Sequence, residues 1–233
     1  MIIEIGHLII VALDPPFGHL GDLSLIDIVE KTRNKAQGYK IGLPLLLEYG
    51  LKSISIIKRK GDLKTIVDLK LADIGDINIL VAEKVFNTGA DAIIAHGFIG
   101  LDDAIEKLAR YTYNHGKELI LVVSMSHRGS TKYIDQHFEE LVFDALEINA
   151  HGIIVPATKP WLIRKARSIV GDKIKIYTPG IGFQGAKPGS ALCAGADYEI
   201  IGRLITRAAD PGSIIEELSR SQLEEVEKCR GLQ

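Results

Sequence analysis

The feature that most constrains the fold of this sequence is an alternation, repeated eight times, of short apolar runs rich in Ile and Val with longer segments of helical periodicity. The strand candidates are residues 8–14, 38–41, 65–71, 92–96, 119–124, 152–155, 174–178 and 198–202. The helix candidates are residues 25–35, 43–49, 77–87, 101–114, 133–149, 160–170, 186–194 and 212–229. Strands of near-continuous apolar character need cover on both faces, which a closed parallel barrel ringed by helices provides. The sequence therefore predicts an α/β fold, a (β/α)8 TIM barrel, with an open doubly wound sheet as the alternative.

Size and composition favour a single domain. The 233 residues are 46% hydrophobic and 25% charged, and no Pro/Ser-rich linker or low-complexity tract divides them. We therefore predict one barrel domain over residues 1–233. The formal net charge of -2 gives no bulk reason for binding nucleic acid or an anionic membrane. No apolar stretch approaches the ~18 residues that cross a bilayer, so we expect a small-molecule partner and no membrane association.

Cys193 and Cys229 are the only cysteines. Two cysteines are too few for a disulfide framework, so the sequence predicts free thiols in a reduced, cytoplasmic protein. The apolar run over residues 8–13 is of strand length and lacks the cationic region and cleavage pattern of a signal peptide. No ligand spacing typical of a zinc site is present, and we expect no metal.

Charged residues stand where the first three predicted strands end, which is the end of a barrel that carries the chemistry. Asp68 and Lys70 are two apart on the third strand, so both should face the barrel interior with Ile66. Charges there lose hydration and need partners of opposite sign, which Lys40 and the acidic residues Asp14 and Asp73 supply. A structural network of ion pairs would also explain such a set, but its position favours a catalytic site.

The motif Asp68-x-Lys70-x-x-Asp73 resembles the signature of orotidine 5′-monophosphate decarboxylases and their suprafamily. Magnesium-dependent members of that suprafamily have an acidic ligand at the end of the second strand, where this sequence has Lys40. The resemblance continues along nearly the whole chain, through Ala12-Leu13-Asp14, Lys40-Ile41-Gly42, His96-Gly97-Phe98, Met125-Ser126-His127, residues 178–185 and Ile201-Gly202-Arg203. It implies decarboxylation of orotidine monophosphate to uridine monophosphate in pyrimidine biosynthesis, without metal or cofactor.

The reaction leaves a carbanion at C6 that the pyrimidine ring does not delocalise fully, so the enzyme must stabilise charge electrostatically. Lys70 suits this role as a cation that then donates the replacing proton, and Asp68 would lie against the departing carboxylate. Lys40 and Asp73 would fix the geometry of that pair. The catalytic residues that this interpretation predicts are Lys70, Asp68, Lys40 and Asp73.

Phosphate sites in barrels commonly use the loops after strands seven and eight, where Gly202 offers a backbone N–H and Arg203 a bidentate contact. The family resemblance implies that Gln184 bridges phosphate and pyrimidine, that Ser126 binds the base and that Pro179 packs beside it. The substrate-binding residues predicted in all are Asp14, Lys40, Ile74, Ser126, Pro179, Gln184, Gly202 and Arg203. Residues 182–189 could form a lid over the phosphate or an ordinary mobile surface loop.

The resemblance also implies a homodimer, because in the family the residues matching Asp73 and Ile74 reach into the neighbouring subunit's site. A threonine three positions beyond takes part there, but this sequence has Ile77. Either that contact is missing or Asn78 supplies it. His96 is left open between a hydrogen-bonded structural group and a support for Lys40.

Two other functions compete with this prediction. A magnesium-dependent sugar-phosphate lyase or aldolase could use the same barrel, and Lys40 is the feature against it. A binding module could retain a nucleotide site without turnover, against which the complete set of Asp68, Lys70 and Asp73 speaks.

Overall fold

A computed structural model describes residues 8–18, 21–61 and 63–231, which form a closed barrel of eight parallel strands in sequence order. The strands are β1 Ile9–Leu13, β2 Gly38–Gly42, β3 Lys64–Leu71, β4 Ala92–His96, β5 Glu118–Val122, β6 Gly152–Ile154, β7 Lys175–Pro179 and β8 Tyr198–Ile201. Pairing of β1 with β8, including Val11 opposite Ile201, closes the ring. The predicted barrel is confirmed, and the open doubly wound sheet is wrong.

Helices follow the strands around the outside of the barrel. They are α1 Leu25–Thr32, α2 Leu43–Tyr49, α3 Lys52–Lys58, α4 Gly75–Phe86, α5 Glu106–Asn114, α6 Phe138–Glu147, α7 Pro160–Val170, α8 Ser190–Cys193, α9 Arg203–Thr206 and α10 Pro211–Cys229. None of the described helices is long and apolar enough to cross a membrane.

Three predicted helices start too early, and two short helices were missed. The helix expected from residue 101 begins at Glu106, because Asp103 takes a positive φ of 55° and breaks the helical run before it. The helix expected from residue 133 begins at Phe138, after two 3-10 turns. The one expected over residues 186–194 is reduced to α8, and α3 and α9 were not predicted. Short helices carry too few periodic apolar positions to be read from sequence.

Alternation along each strand produces two apolar layers. Ile9, Val11 and Leu13 point outward and are buried beneath the helices. The inward positions form a separate buried cluster that fills the barrel, and it includes Ile10, Ala12, Ile66, Ile94, Ile120, Val122, Ile154, Tyr177 and Ile200. The interior is therefore a packed core, and polar chemistry is confined to the ends of the strands.

The two cysteines are joined in a disulfide, so the prediction of free thiols is wrong. Cys193 ends α8 and Cys229 ends α10, with Cα atoms 6.1 Å apart although 36 positions separate them in sequence. A buried carboxylate holds the same two helices together: Glu199 accepts hydrogen bonds from the backbone N–H of Gly189 (3.0 Å) and from Gln222 Nε2 (2.8 Å). Sequence spacing alone gave no sign of this proximity.

Reducing the disulfide is expected to lower the free energy of unfolding by about 4 kcal/mol, because the link closes a loop over 36 positions and so restricts the unfolded chain. Urea unfolding with and without a reductant measures the difference. The Cys193→Ser/Cys229→Ser variant is the control, and its free energy of unfolding should be the same with and without the reductant. Equal stability of the native protein in both conditions would contradict the expectation.

Candidate active site

Four charged side chains meet at the carboxyl ends of the first three strands, and we call them the strand-end charge cluster: Asp14, Lys40, Asp68 and Lys70. Lys70 Nζ donates to both carboxylate oxygens of Asp68, at 2.8 Å each. Lys40 Nζ lies 3.1 Å from Oδ2 of the same carboxylate and 3.8 Å from Oδ2 of Asp14. Asp68 is thus held between two ammonium groups, as the sequence predicted for a paired interior charge.

The backbone at Lys70 is not that of a regular strand. Its φ is +49°, and the register between β3 and β4 shifts between Asp68 and Leu71. A non-glycine residue in this region costs of order 1–3 kcal/mol and persists where the surroundings impose it, often at functional sites. The irregularity turns Lys70 back onto Asp68, so the two charges meet through a bulge rather than through simple alternation.

Asp68 and Lys40 each stabilise the ionised form of the other. Burial opposes ionisation of Asp68, but Lys40 and Lys70 outweigh it and hold the pKa of the carboxyl below its ordinary value. Burial likewise disfavours the charged form of Lys40, yet Asp68 and Asp14 raise the pKa of that ammonium above its ordinary value. The carboxylate and the ammonium therefore both stay charged at neutral pH.

A cavity of about 240 Å³, the central cavity, opens above the barrel core beside this cluster. Lys40, Asp68 and Lys70 form its charged side, Ser126 lines it from the loop after β5, and Pro179 lines it from the end of β7. The remaining wall consists of Ile94, Val122, Met125, Ile154 and Ile200, with Ser124 as its polar member. A flat, partly polar ring could lie here with one edge against Asp68 and Lys70.

A second cavity of about 210 Å³, the peripheral cavity, adjoins the first. Its lining residues that carry polar or charged groups are Asp14, Lys40, Gln184, Gly202, Arg203 and Arg207. Lys40, Pro179 and Ile200 line both cavities, so a single elongated ligand could occupy the two. The guanidinium of Arg203 lies 4.4 Å from the ring centroid of Phe183, a cation–π contact with the loop after β7.

Size does not identify the site in this protein. Three surface cavities are larger: two of about 650 and 570 Å³ lie against α5 and α6 respectively, and one of about 300 Å³ is lined by Lys64 and Glu118 at the amino ends of β3 and β5. None of the three is lined by any member of the strand-end charge cluster. The convergence of paired charges on the smaller cavities is the stronger indicator of chemistry.

Asp73 and Ile74 stand apart from both cavities. The carboxylate of Asp73 accepts from the backbone N–H of Ile74 at 2.8 Å, and within the described chain it makes no ion pair with Lys70 or Lys40. Ile74 is 63% exposed. Within one chain, Asp73 does not reach Asp68 and Lys70, and the family resemblance assigns it to the neighbouring subunit's site.

The amide of Asn78, the alternative to the threonine that Ile77 replaces, is engaged within its own chain. Its side chain is buried and bound to the backbone of Asp73, donating to the carbonyl at 2.6 Å and accepting from the N–H at 3.3 Å. Burial and these two hydrogen bonds speak against that alternative. Ile77 itself is 41% exposed on α4.

His96 lies at the end of β4, buried, with its ring packed 4.6 Å from that of Phe98. Its Nδ1 has no hydrogen-bond partner among the described residues, so the expectation of a hydrogen-bonded structural histidine is not met at that atom. Burial and the nearby charge of Lys70 lower the pKa of His96, which keeps the ring neutral beside the cluster.

A buried ion pair beside the central cavity, in contact with Ser124 and Met125 of its wall, was missed by sequence reasoning. Lys159 and Asp135 form it, and Lys159 Nζ also donates to the carbonyl of Met125 at 2.8 Å. Ser130 Oγ donates to the same carbonyl at 2.8 Å. The pair thus fixes the segment just before Ser126. The sequence could have indicated Lys159, because it lies in the loop after β6 and charged residues at the carboxyl ends of barrel strands often belong to the active site.

No group of three or more His, Cys, Asp or Glu side chains within residues 8–18, 21–61 and 63–231 could hold a metal ion.

Comparisons with known proteins agree with this geometry. The model of the Orotidine 5′-phosphate decarboxylase / HUMPS family matches residues 7–218. The orotidine 5′-phosphate decarboxylase of Aeropyrum pernix is 39% identical over 211 residues, covering 89% of this chain and 85% of its own. That of Pyrococcus furiosus is 42% identical over 188 residues, covering 80% and 85%.

Solved structures show the same likeness. The orotidine 5′-monophosphate decarboxylase of Sulfolobus solfataricus has a TM-score of 0.82 and 36% identity, covering 94% of this chain and 99% of its own. That of Methanocaldococcus jannaschii, complexed with the inhibitor BMP, has a TM-score of 0.83 and 28% identity, covering 93% and 98%.

Proposed function

The chain belongs to the orotidine 5′-phosphate decarboxylase / HUMPS family, and we propose that it converts orotidine 5′-monophosphate to uridine 5′-monophosphate and carbon dioxide in pyrimidine biosynthesis. The observation that carries this proposal is Asp68 held between Lys70 and Lys40. Lys40 places a fixed cation 3.1 Å from Asp68, where the magnesium-dependent members of the suprafamily need an anionic ligand. The arrangement favours a metal- and cofactor-independent carboxy-lyase.

The two adjoining cavities suit the two ends of this substrate. In the central cavity the pyrimidine would lie with Ser126 hydrogen-bonded to the base and Pro179 packed beside it. In the peripheral cavity the phosphate would meet the N–H of Gly202 and the guanidinium of Arg203, with Gln184 between phosphate and base. Lys40 stands at the junction and Asp14 lines the peripheral cavity beside it, so we place the ribose hydroxyls against these two side chains.

The chemistry follows from the charges at the central cavity. The bond from C6 to the carboxylate breaks, carbon dioxide leaves, and the electron pair stays on C6. The Lys70 ammonium stabilises that carbanion and then donates a proton to C6, forming the C–H bond of the product. Asp68 lies against the substrate carboxylate, and two like charges ~4 Å apart repel by about 4 kcal/mol at an effective dielectric of 20. This repulsion is relieved as carbon dioxide departs.

The exposed side chains on α4 and just before it support a homodimer. Ile74, Ile77 and Leu80 present apolar surface to one side of the barrel, next to Asp73. A second copy of the chain would cover that surface, and Asp73 and Ile74 would then enter the partner's site. In this arrangement Asp73, like Asp14 and Lys40, binds the ribose and orients Lys70 across the interface.

A mixture of two inactive variants is expected to regain activity if the site is shared. Lys70→Ala and Asp73→Ala homodimers each lack one essential group in both sites. After subunit exchange, one of the two sites in each mixed dimer has both groups, so about a quarter of native activity should return. Decarboxylation is measured before and after mixing under conditions that allow exchange.

Lys70→Ala mixed with Asp68→Asn is the control, because both residues act within one chain and no intact site can form. Failure of the first mixture to regain activity, despite exchange demonstrated by tagged subunits, would exclude a site completed by Asp73 of the partner.

We also propose that residues 1–233 form one catalytic domain that acts in the cytoplasm. The uninterrupted βα repeat supports the first part. The disulfide bears on the cytoplasmic location, because most cytosolic proteins lack disulfides. Intracellular proteins of hyperthermophiles are the exception, so a cytoplasmic location together with this disulfide indicates a hyperthermophilic organism.

The function is tested by identifying products. Purified protein incubated with orotidine 5′-monophosphate should release carbon dioxide and uridine 5′-monophosphate in equal amounts. Parallel incubations contain hexulose 6-phosphate and 3-keto-gulonate 6-phosphate with magnesium. Turnover of a sugar phosphate alone would assign the chain to the other branch of its family, and tight nucleotide binding without any turnover would indicate a binding protein.

A further inference from the structure

Two arginines project toward the peripheral cavity from the segment after β8. Arg203 begins α9 and Arg207 follows its last residue, with the backbone N–H of Arg207 donating to the carbonyl of Arg203 at 3.1 Å. Residues four apart in a helical turn lie on the same side. Both side chains accordingly line the same cavity of about 210 Å³. Only Arg203 was anticipated from the sequence.

The backbone at Arg207 is held in place by the buried residues that precede it. Ile205 and Thr206, the two residues before it, are fully buried. The carbonyl of Thr206 accepts from the N–H of Gly18 at 2.6 Å, which ties α9 to the loop after β1. The direction of Arg207 is therefore set by the packed barrel, although its side chain is exposed.

The charge of Arg207 is not neutralised by any side chain in the described part of the chain. Among the described residues no carboxylate lies within ion-pair distance of its guanidinium, whereas the acidic side chain that lines the cavity, Asp14, has Lys40 Nζ 3.8 Å away. Arg203 is engaged with the ring of Phe183 on one face but keeps its N–H groups for a ligand. The cavity thus presents two arginines to whatever anion enters it.

A phosphate monoester carries about -1.5 to -2 charges at pH 7 and has three acceptor oxygens. One arginine neutralises about half of that charge and binds at most two of the oxygens in a bidentate pair. A second guanidinium facing the same cavity can neutralise the remaining charge and bind the third oxygen. Two arginines therefore fit the dianion of a nucleoside monophosphate better than a singly charged ligand.

We propose that Arg207 is a second phosphate-binding residue, which shares the 5′-phosphate of the substrate with Arg203. The inference rests on the proposed function, which puts the phosphate in the peripheral cavity. Arg207 contributes to the affinity for the phosphorylated nucleotide and takes no part in the chemistry at C6.

The test compares a ligand that has the phosphate with one that lacks it. Inhibition of decarboxylation by uridine 5′-monophosphate and by uridine is measured for the native protein and for Arg207→Gln. Loss of a charge-assisted contact should weaken the phosphorylated inhibitor by about 10-fold to 100-fold and leave uridine within about twofold. The KM for orotidine 5′-monophosphate should rise in parallel while kcat changes little, and Arg207→Lys should recover part of the loss.

Arg110→Gln is the matched control, because this exposed arginine lies on α5, away from both cavities, and the substitution makes the same change in net charge. Equal weakening of both inhibitors by Arg207→Gln would show a merely structural role, and no weakening of either would overturn the inference. If Arg203→Gln also leaves the phosphorylated inhibitor unaffected, the phosphate lies elsewhere and the proposed placement of the substrate fails with it. If Arg203→Gln weakens inhibition by uridine 5′-monophosphate and Arg207→Gln does not, the proposed role of Arg207 is refuted while the proposed position of the phosphate stands.

Discussion

Replacing Lys70 by Ala is expected to lower kcat for orotidine 5′-monophosphate by about 10⁴-fold or more. The substitution removes the proton donor, whose effect is typically 10²-fold to 10⁴-fold, together with the cation beside the carbanion, a further factor of about 10²-fold to 10³-fold. Affinity for uridine 5′-monophosphate should fall far less, because these interactions develop in the transition state. Steady-state decarboxylation and product inhibition measure the two effects separately.

Lys173→Ala serves as the control for the loss of one lysine, since Lys173 is exposed near the amino end of β7, at the opposite end of the barrel from Lys70. It should retain native kcat. Near-native turnover by Lys70→Ala would remove this lysine from the mechanism, whatever its contact with Asp68.

Replacing Asp68 by Asn is expected to lower kcat by about 10³-fold, which corresponds to the ~4 kcal/mol of repulsion assigned to the substrate carboxylate. The amide keeps the shape of the side chain but does not repel a carboxylate. It also leaves the buried Lys40 without its nearest counter-charge, and breaking a buried pair costs about 3 kcal/mol of stability. Kinetics and urea unfolding at pH 7 report the two effects.

The stability effect of Asp68→Asn has a defined pH dependence. The folded pKa of Asp68 is depressed, so its carboxylate stabilises the protein above the unfolded pKa near 3.9. That contribution is lost as the pH falls through the folded value, and the native and variant proteins should converge in stability there. Asp172→Asn, at an exposed position between α7 and β7, is the control. A native kcat for Asp68→Asn would rule out repulsion by Asp68 as a source of catalysis.

The barrel could be predicted from sequence because its pattern is redundant. Eight apolar runs, each covered on both faces, leave few other ways to bury their surface, so errors at helix ends do not change the architecture. The ends themselves depend on single residues. Asp103, with its positive φ, delays α5, and nothing in the apolar periodicity of residues 101–114 marks that position.

The strand-end charge cluster was predictable for a different reason. Charges at interior positions need partners of opposite sign, so the sequence alone predicts that Asp68 pairs with Lys40 and Lys70. The conformation that makes the pairing possible was not predictable, because the sequence of residues 65–71 indicates a regular strand whereas Lys70 occupies a strained bulge. Strain of this kind is imposed by the surrounding fold and leaves no mark on the local sequence.

Residues brought together only by packing were beyond sequence reasoning. The disulfide between Cys193 and Cys229 and the buried pair of Lys159 and Asp135 join segments that no spacing rule connects. Arg207 belongs to this group, because the short α9 that turns it toward the peripheral cavity was itself not predicted. These contacts depend on the three-dimensional fold, so the roles of the residues that make them could be assigned only from the structure.

The measurement that tests the central claim most directly is the loss of orotidine 5′-monophosphate absorbance with purified protein in EDTA. The claim is that Asp68, Lys70 and Lys40 decarboxylate the substrate with no metal ion. The predicted result is a rate in EDTA equal to the rate with added magnesium. Loss of activity in EDTA that magnesium restores would contradict the claim and return the site to metal-dependent chemistry.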